Sequence, residues 1–286
     1  MAVLTRPGSD HDTLLTMYGA MVKTRMCETA VLRRLAGQDG GYRPVRGLEA
    51  IAAGAAAALA PGDRLVTTPR CLHELIACGI PLREVVGMLL TPGNTALVDP
   101  LARAHGIVFS TATPGAGIPV AAGAALAAQG TGSGRVVVVS FGADAADTGL
   151  FHEGTTLAAA LQLPLVLLCR TIVDSVGTTR AGRAAAGYGM PAATIDGGDP
   201  VKVRRAVSEA IARARRGGGP ALVECLVHRS AMAVDEFDED PLARYERWLT
   251  ATGVEDDILV RISASAMSEV DRIGNVLAPL TGGGHR

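Results

Sequence analysis

Three aspartates stand at turns of the sequence where carboxylates could bind a metal ion. Asp144 and Asp147 follow the apolar run Val136 to Val139, and Asp174 follows a second apolar run, Leu165 to Cys169. Both runs are typical of buried strands in a parallel sheet. A hard cation such as Mg²⁺ prefers oxygen ligands in near-octahedral geometry, so the carboxylates are one candidate metal site. The alternative is the ordinary role of aspartates in turns and helix caps.

A second group of reactive side chains lies on the short helix predicted at about Arg70 to Cys78. Cys71, His73 and Glu74 could supply a nucleophile and a base. Their spacing places Cys71 and Glu74 roughly on one face of the helix and turns His73 away, which favours a surface or interface cluster. Ser140 lies in no GxSxG motif, so the sequence gives no support for a serine hydrolase.

The elements that carry these residues predict an α/β fold with a doubly wound, mainly parallel sheet. Strands alternate with helices along most of the chain. We expect loops at Thr91 to His105, which shows no clear periodicity, and at Val176 to Arg183, which is polar. The predicted strands are Arg64 to Thr68, Ile107 to Ser110, Val136 to Val139, Leu165 to Cys169, Ala193 to Asp196 and Ala221 to Leu226.

Composition limits both the fold and the partners. Hydrophobic residues make up 48% of the chain but aromatic residues only 3%, so Ala, Val and Leu must fill the core. The net charge of −1 creates no field that favours nucleic acid or an anionic membrane. No apolar run is long enough to span a bilayer. We expect a single domain, residues 1–286, with a core at 10–230 and a C-terminal helical extension at 231–286.

The cysteines and the N-terminal sequence predict a cytoplasmic location. The cysteines are odd in number and lack CxxC or zinc-finger spacing, so we expect reduced and mostly buried thiols. The first ten residues lack the apolar segment of a signal peptide. The cysteines are Cys27, Cys71, Cys78, Cys169 and Cys225.

Short motifs spread from about residue 14 to 253 match, in order and spacing, those of one enzyme family. They are Met17-Tyr18 with Arg25 and Glu28, Gly47 to Ala50, Leu59 to Asp63, Gly149 with Phe151 to Glu153, Leu163-Pro164, Ile195 to Asp199, and Ala214 to Glu224 with His228-Arg229. The chain resembles the alpha chain of the thiamine-diphosphate-dependent 2-oxoacid dehydrogenases, which include the pyruvate, branched-chain and acetoin enzymes. The same resemblance implies a helix-packing role for His152 and Glu153.

The resemblance implies the thiamine-diphosphate-binding fold and a heterotetramer of two alpha and two beta chains. In that family the alpha chain binds the diphosphate through Mg²⁺, and a glutamate of the beta chain activates the thiazolium ring. The implied activity is that of an oxidoreductase complex, which decarboxylates a 2-oxoacid and transfers the acyl group to a lipoyl group or another acceptor. The implied partners are a beta-like subunit and a small anionic acyl or 2-oxoacid substrate.

The sequence departs from the family where the metal should bind. Ala143 replaces the aspartate of the family's GDG turn, and Ile172 replaces an asparagine ligand. Neither side chain can coordinate a metal. The diphosphate contacts also differ, because Arg70 alone remains of a tyrosine–arginine pair. Arg43 and Arg170 stand where the family has histidine and glutamate.

These family positions place three arginines around the same turns. An arginine guanidinium binds phosphate or carboxylate through two parallel hydrogen bonds and needs no metal. The resemblance therefore implies a candidate anion or diphosphate pocket, and the alternative is that its arginines form interface salt bridges. The pocket comprises Arg43, Arg70, Gly115, Gly142, Asp144 and Arg170.

Two interpretations follow from these departures. In the first, the chain no longer binds Mg²⁺ and thiamine diphosphate, and either its pocket takes an anionic substrate without a metal or it is a non-catalytic scaffold. In the second, Asp144, Asp147 and Asp174 substitute for the lost ligands, with Asp144 and Asp174 facing one metal.

A further departure concerns the aminopyrimidine ring of the cofactor. Pro114 falls where the family uses a backbone N–H to bind this ring, but proline has no N–H to donate.

Overall fold

Six strands form one sheet in which every neighbouring pair is parallel. The computed structural model describes residues 10–35, 44–68, 71–90, 95–109, 112–173, 180–228 and 240–277. The strands are β1 Arg64–Thr67, β2 Ile107–Phe109, β3 Val137–Gly142, β4 Leu165–Val173, β5 Ala192–Asp196 and β6 Ala221–His228. Their order across the sheet is β2-β1-β3-β4-β6-β5.

Helices cover both faces of the sheet and extend beyond one edge. The helices are α1 Asp10–Leu35, α2 Glu49–Ala58, α3 Leu72–Ala77, α4 Leu82–Leu90, α5 Thr95–Ala104, α6 Gly117–Gly130, α7 Gly149–Ala160, α8 Arg180–Gly187, α9 Pro200–Arg215, α10 Pro241–Ala251 and α11 Asp256–Leu277. A 3₁₀ helix, Ala143–Asp147, follows β3.

The sheet is buried on both faces because successive side chains of a strand point in opposite directions. Val137 and Val139 of β3 join a core cluster with α6, α7 and α8. Val136 and Val138 join a second cluster with α2 and α9 on the other face. Burial on both faces explains the continuous valine run, and the predicted α/β fold with a doubly wound parallel sheet is confirmed.

Helix α1 joins the sheet region to the C-terminal helices. Met17 and Tyr18 pack in one cluster with Tyr245 of α10 and Leu259 of α11. Val31 belongs to another cluster, formed with α3, α4 and α5. The proposed division into a core and a C-terminal extension stays a prediction.

The loop predicted at Thr91 to His105 contains helix α5, so that prediction is wrong. Pro100 lies inside the helix, where it lacks an N–H to donate and weakens the helical pattern of the sequence. Leu101 and Ala102 bury apolar surface against the α3–α4 cluster. This packing stabilises a helix that the local sequence pattern does not predict.

The polar loop predicted at Val176 to Arg183 is wrong at its end, because α8 begins at Arg180, while residues 176–179 lie outside the described residues. Ala181 and Ala185, four positions apart, are both fully buried against the sheet. Alanine is only weakly hydrophobic and is common throughout this sequence. The helical spacing of buried alanines therefore does not give a clear periodic pattern.

The expected state of the cysteines is confirmed. All five are free thiols, and four of them are buried. Burial raises the pKa of Cys27, Cys78 and Cys169 to about 12, which makes them poor nucleophiles at neutral pH. Among the described helices, none combines the length and the apolar character that crossing a membrane requires.

Candidate functional site

The connections of the sheet reverse direction between β1 and β3. The chain leaves β1 toward β2 on one side, whereas it leaves β3 toward β4 on the other. In open α/β sheets, ligands bind in the crevice outside the carboxyl ends of two such strands. The crevice beyond Thr67 and Gly142 is therefore the place where this fold presents a site.

The turn after β3 offers few oxygen ligands for a metal. Ala143 packs its methyl group against the core, and Ile172, at the end of β4, leaves 41% of its surface exposed. Asp144 and Asp147 are both exposed on the 3₁₀ helix. Within the described ranges, no group of three His, Cys, Asp or Glu side chains could hold a metal ion. The side chains of Ala143 and Ile172 themselves carry no oxygen that could bind a metal, while Asp174 lies outside the described residues.

Gly115 brings the turn before α6 close to the start of α7. Thr148 caps α7, since its Oγ1 accepts a hydrogen bond from the Phe151 N–H at 3.2 Å and donates one to the Ala145 carbonyl at 2.7 Å. Gly115 has a φ of +79°, and a Cβ there would lie 2.5 Å from Thr148 Oγ1. Only glycine allows both this backbone conformation and this close approach.

Behind the turn, Glu74 of α3 inserts its carboxylate between the ends of three strands. Oε2 accepts a hydrogen bond from the Thr67 hydroxyl of β1. Oε1 accepts one from the Ser140 hydroxyl of β3 and one from Arg170 Nη1 of β4, the latter at 3.2 Å. Arg170 Nη1 also lies 3.1 Å from Nε2 of His73. We call these five residues the Glu74 cluster.

The Glu74 cluster holds a charged pair and a neutral histidine. Burial would raise the pKa of the Glu74 carboxyl, but the Arg170 guanidinium, His73 and the two hydroxyls bring the pKa below its ordinary value. Burial lowers the pKa of His73 to about 4, with Arg170 acting in the same direction and Glu74 opposing it. At neutral pH the cluster therefore contains an ionised Glu74, a cationic Arg170 and an uncharged His73.

The tautomer of His73 follows from its neighbour. Arg170 can only donate, so Nε2 of the neutral ring is the acceptor and the proton lies on Nδ1. Nδ1 is buried and has no hydrogen-bond partner among the described residues. An N–H donor left unpaired in this way costs free energy, which is unusual in a native core.

A second buried carboxylate lies on the opposite face of the sheet. Glu224 of β6 accepts a hydrogen bond from the Thr171 hydroxyl at 2.7 Å and one from the Gly182 N–H at 3.1 Å. Gly182 belongs to the first turn of α8, whose N–H groups have no partners within the helix. Glu224 therefore fixes the start of α8 against the sheet.

The motif residues behind the family resemblance mainly hold the scaffold together. Asp63 accepts hydrogen bonds from the Val136 N–H at 2.9 Å and from Arg215 Nη2 at 2.6 Å. Asp199 caps α9 by accepting from the Val201 N–H at 2.9 Å, and Arg25 pairs with Glu49 at 2.6 Å. Such residues preserve the fold whether or not a cofactor is bound.

His152 and Glu153, for which the resemblance implies a helix-packing role, are both exposed, so any such packing takes place at the surface and not in the core. Nδ1 of His152 instead forms a hydrogen bond with the Tyr188 hydroxyl at the surface. Their rings lie 6.0 Å apart, which joins α7 to the end of α8.

The candidate anion pocket is only partly visible. Gly142, Gly115 and Asp144 lie around the turn after β3, whereas Arg170 points into the Glu74 cluster on the α2–α9 face. The Glu74 carboxylate balances the charge of Arg170 inside the chain. Arg43 and Arg70, like Asp174, lie outside the described residues.

The helix with Cys71, His73 and Glu74 is not at the surface, so that prediction is wrong. All three side chains are buried, and Leu72 and Leu75 on the same short helix are fully buried as well. The signal that could have revealed the cluster is in the strands rather than in the helix. Thr67, Ser140 and Arg170 are polar residues, each two positions after a buried apolar residue of the same strand and therefore on the same face of the sheet.

Residues 18–269 match the family model described as the dehydrogenase E1 component. The chain belongs to the dehydrogenase E1 component family. The alpha subunit of acetoin:2,6-dichlorophenolindophenol oxidoreductase from Bacillus subtilis is 33% identical over 255 residues, 80% of this chain and 74% of that protein. The 2-oxoisovalerate dehydrogenase subunit alpha of the same organism is 29% identical over 94% of this chain and 90% of the relative.

A third relative extends the comparison to another organism. The 3-methyl-2-oxobutanoate dehydrogenase subunit alpha of Mycobacterium tuberculosis strain H37Rv is 30% identical over 85% of this chain and 72% of its own length. The predicted resemblance to alpha subunits of the 2-oxoacid dehydrogenases is thus confirmed. In this E1 chain, the Glu74 cluster and the turn with Ala143 lie at the carboxyl ends of the central strands, where open α/β sheets generally bind their ligands.

Proposed function

We propose that the chain is the alpha-type subunit of an E1-like complex and works with a beta-type subunit, as two alpha and two beta chains. The relatives named above are all alpha subunits, and the family match spans most of the chain. The proposed reaction class is acyl transfer from a small anionic 2-oxoacid or acyl donor. The free cysteines fit a reducing compartment such as the cytoplasm.

The outer surface of α6 supports a second protein chain as partner. This helix has no charged residue, and it exposes Val120 and Leu126, each by more than 40%. Leu157 and Leu161 at the neighbouring α7 are similarly exposed. By contrast α9, on the other side of the sheet, carries charged residues along its outer face. A helix that is apolar all round is normally buried on both sides.

We propose further that this chain does not hold Mg²⁺ and a diphosphate in the manner of its family. The observation that carries this proposal is the pair of positions Ala143 and Ile172, which offer a methyl group and an exposed alkyl chain where oxygen ligands would be needed. Asp144 and Asp147 are exposed and form no three-ligand group in the described chain. No catalytic step is therefore assigned to a metal bound by this subunit.

An anionic substrate would then be bound without a metal. Arg43 and Arg70 are the candidate side chains, together with the part of Arg170 that does not face Glu74. Arg170 retains donor N–H groups beyond the Nη1 contacts, and its side chain is 15% exposed. Because Glu74 offsets its charge, Arg170 would orient an anion more than attract it.

A calorimetric titration of the purified chain, alone and with its beta-type partner, tests these proposals. Thiamine diphosphate with Mg²⁺ is compared with thiamine diphosphate in the presence of a chelator and with pyrophosphate alone. We expect no metal-dependent gain in affinity that requires the alpha chain. Tight, Mg²⁺-dependent binding that Asp144→Ala abolishes would instead support substitute ligands and contradict the loss of the site.

A second candidate function is a non-catalytic scaffold that supports or regulates the beta-type subunit. The internal pairing of Arg170 with Glu74 favours it, since a cation at the crevice is neutralised without any ligand. Co-purification of the two chains followed by an acyl-transfer assay separates the candidates. A stable complex without turnover would favour the scaffold, and a chain that remains a stable monomer would contradict both.

A further inference from the structure

The donors around Glu74 have the composition of a binding site for a small carboxylate. The Thr67 hydroxyl faces one carboxylate oxygen, and the Ser140 hydroxyl and Arg170 Nη1 face the other. Three donors from three adjacent strands converge on one point at the switch of the sheet. Proteins bind oxyanions through hydrogen-bond donors that converge on one point and often include a guanidinium group.

We propose that this is an anion site which the chain fills with its own carboxylate. Glu74 acts as an internal ligand, so a carboxylate from solution is excluded from the position between Thr67, Ser140 and Arg170 Nη1 that the Glu74 carboxylate occupies. The site would take a group of the size of acetate if the Glu74 carboxylate were removed. This occupancy does not depend on a beta-type subunit or on turnover.

The anchoring of α3 explains why an internal ligand prevails over external anions. Leu72, Leu75 and Ile76 bury the helix in the core formed with α1 and α4, which fixes the backbone that carries Glu74. The Glu74 carboxylate therefore binds without the loss of translational entropy that accompanies the binding of a free anion. The lowered pKa of Glu74 keeps this ligand ionised at neutral pH.

The same contacts could serve only as a structural ion pair that ties α3 to the sheet. Under that alternative, loss of the carboxylate weakens the fold, and no anion added from solution restores it. An internal ligand predicts a different outcome, because Thr67, Ser140 and Arg170 stay in place around an empty carboxylate position. Chemical rescue by a small carboxylate therefore distinguishes the two.

The test compares full-length wild type with Glu74→Ala, Glu74→Gln and the double variant Glu74→Ala/Arg170→Ala. Thermal unfolding is followed in sodium acetate and in sodium chloride of equal ionic strength. Glu74→Ala removes about the volume of an acetate ion, whereas Glu74→Gln fills the same space with an uncharged amide. The double variant removes the cation that the acetate would pair with.

We expect acetate to raise the unfolding temperature of Glu74→Ala in a saturable manner. The response of Glu74→Ala should saturate at an acetate concentration at least about tenfold below any at which the wild type responds, the factor that one charge-assisted hydrogen bond provides. Wild type, Glu74→Gln and the double variant should respond to acetate no more than to chloride. Folding of each variant is checked by circular dichroism.

Three results would overturn the proposal. One is a folded Glu74→Ala whose unfolding temperature acetate does not raise more than chloride does. Another is a double variant whose unfolding temperature rises in acetate as much as that of Glu74→Ala. If Glu74→Ala folds poorly, its soluble yield in acetate and in chloride becomes the measurement, and equal yields would be the third. These outcomes are distinct from failure of the proposed function, which would appear as a chain that binds no beta-type subunit.

Discussion

Arg25 and Asp240 are joined by two hydrogen bonds across 215 positions of the chain, from Nη1 to Oδ2 at 2.6 Å and from Nη2 to Oδ1 at 3.2 Å. Nε of Arg25 also donates to Glu49 Oε1 at 2.6 Å. Asp240 in turn caps α10 by accepting from the Leu242 N–H at 2.8 Å. One arginine thus ties α1 to α2 and to the first C-terminal helix.

Replacing Arg25 should destabilise the chain strongly. Arg25→Ala leaves the fully buried Glu49 carboxylate without its cation, and breaking one partner of a buried pair costs about 3–5 kcal/mol. Urea denaturation measures this loss. Arg261→Ala is the control, because Arg261 pairs with Asp257 on an exposed helix face, where such pairs contribute about 1 kcal/mol or less. Equal losses for the two variants would contradict a structural role for the Arg25 network.

His73 should make stability depend on pH between about 6.5 and 4. Its pKa falls from 6.5 in the unfolded chain to about 4 in the folded one, so across this range the unfolded state binds a proton that the folded state does not. The stability is therefore present in full above pH 6.5 and is lost as the pH falls toward 4. The loss should reach about 3 kcal/mol by pH 4.

Urea denaturation of wild type and His73→Asn across that pH range measures the difference. The variant lacks the titrating ring, so its stability should fall less steeply as the medium becomes acidic. His152→Asn is the matched control, since His152 is exposed. Parallel pH curves for wild type and His73→Asn would show that His73 is protonated as easily in the folded chain as in the unfolded one.

The parallel sheet was predictable because its signal is local. A buried strand such as Val136 to Val139 reads as a continuous apolar run, and strands of this kind alternate with helices. The sequence pattern does not predict helices α5 and α8, for two different reasons. Pro100 breaks the helical pattern of α5, while the buried Ala181 and Ala185 of α8 are too small to stand out.

The Glu74 cluster was harder to foresee because it is assembled by topology. Thr67, Ser140 and Arg170 are far apart along the chain and become neighbours only through the order of β1, β3 and β4. The spacing of Cys71, His73 and Glu74 on their short helix instead favours a surface or interface cluster and gives no sign of these strand partners. By contrast, the proposal that Ala143 and Ile172 stand at the family's metal-ligand positions rests on the family motifs in the sequence and stays a prediction.

Glu224 should control the local stability of α8. In Glu224→Gln the side-chain amide keeps the volume, but it loses the charge that strengthens the bonds from Thr171 and from the Gly182 N–H. We expect a loss of about 1–3 kcal/mol, with faster hydrogen exchange at the amides of α8 than at those of α9. Thr171→Val is a useful comparison, because it removes one of the two bonds and leaves Glu224 charged. Unchanged exchange in α8 would contradict an anchoring role for Glu224.

Gly115 should tolerate alanine worse than another glycine of the same backbone conformation. Gly132 has a φ of +60° and nothing within 4 Å of an added Cβ, so Gly132→Ala should cost only the conformational penalty of about 1–2 kcal/mol. Gly115→Ala carries the same kind of penalty and also a Cβ 2.5 Å from Thr148 Oγ1. We expect it to cost at least about 1 kcal/mol more, as overpacked positions do.

A double-mutant cycle shows whether the Thr148 hydroxyl is the cause. Thr148→Ala removes the oxygen that the new Cβ would strike, so Gly115→Ala should be less damaging in that background than in the wild type. Denaturation by urea gives the free energy of unfolding for all four chains. If Gly115→Ala lowers the free energy of unfolding as much in the Thr148→Ala background as in the wild type, the added loss comes from the backbone alone. The close approach of the turn to α7 would then impose no requirement for glycine.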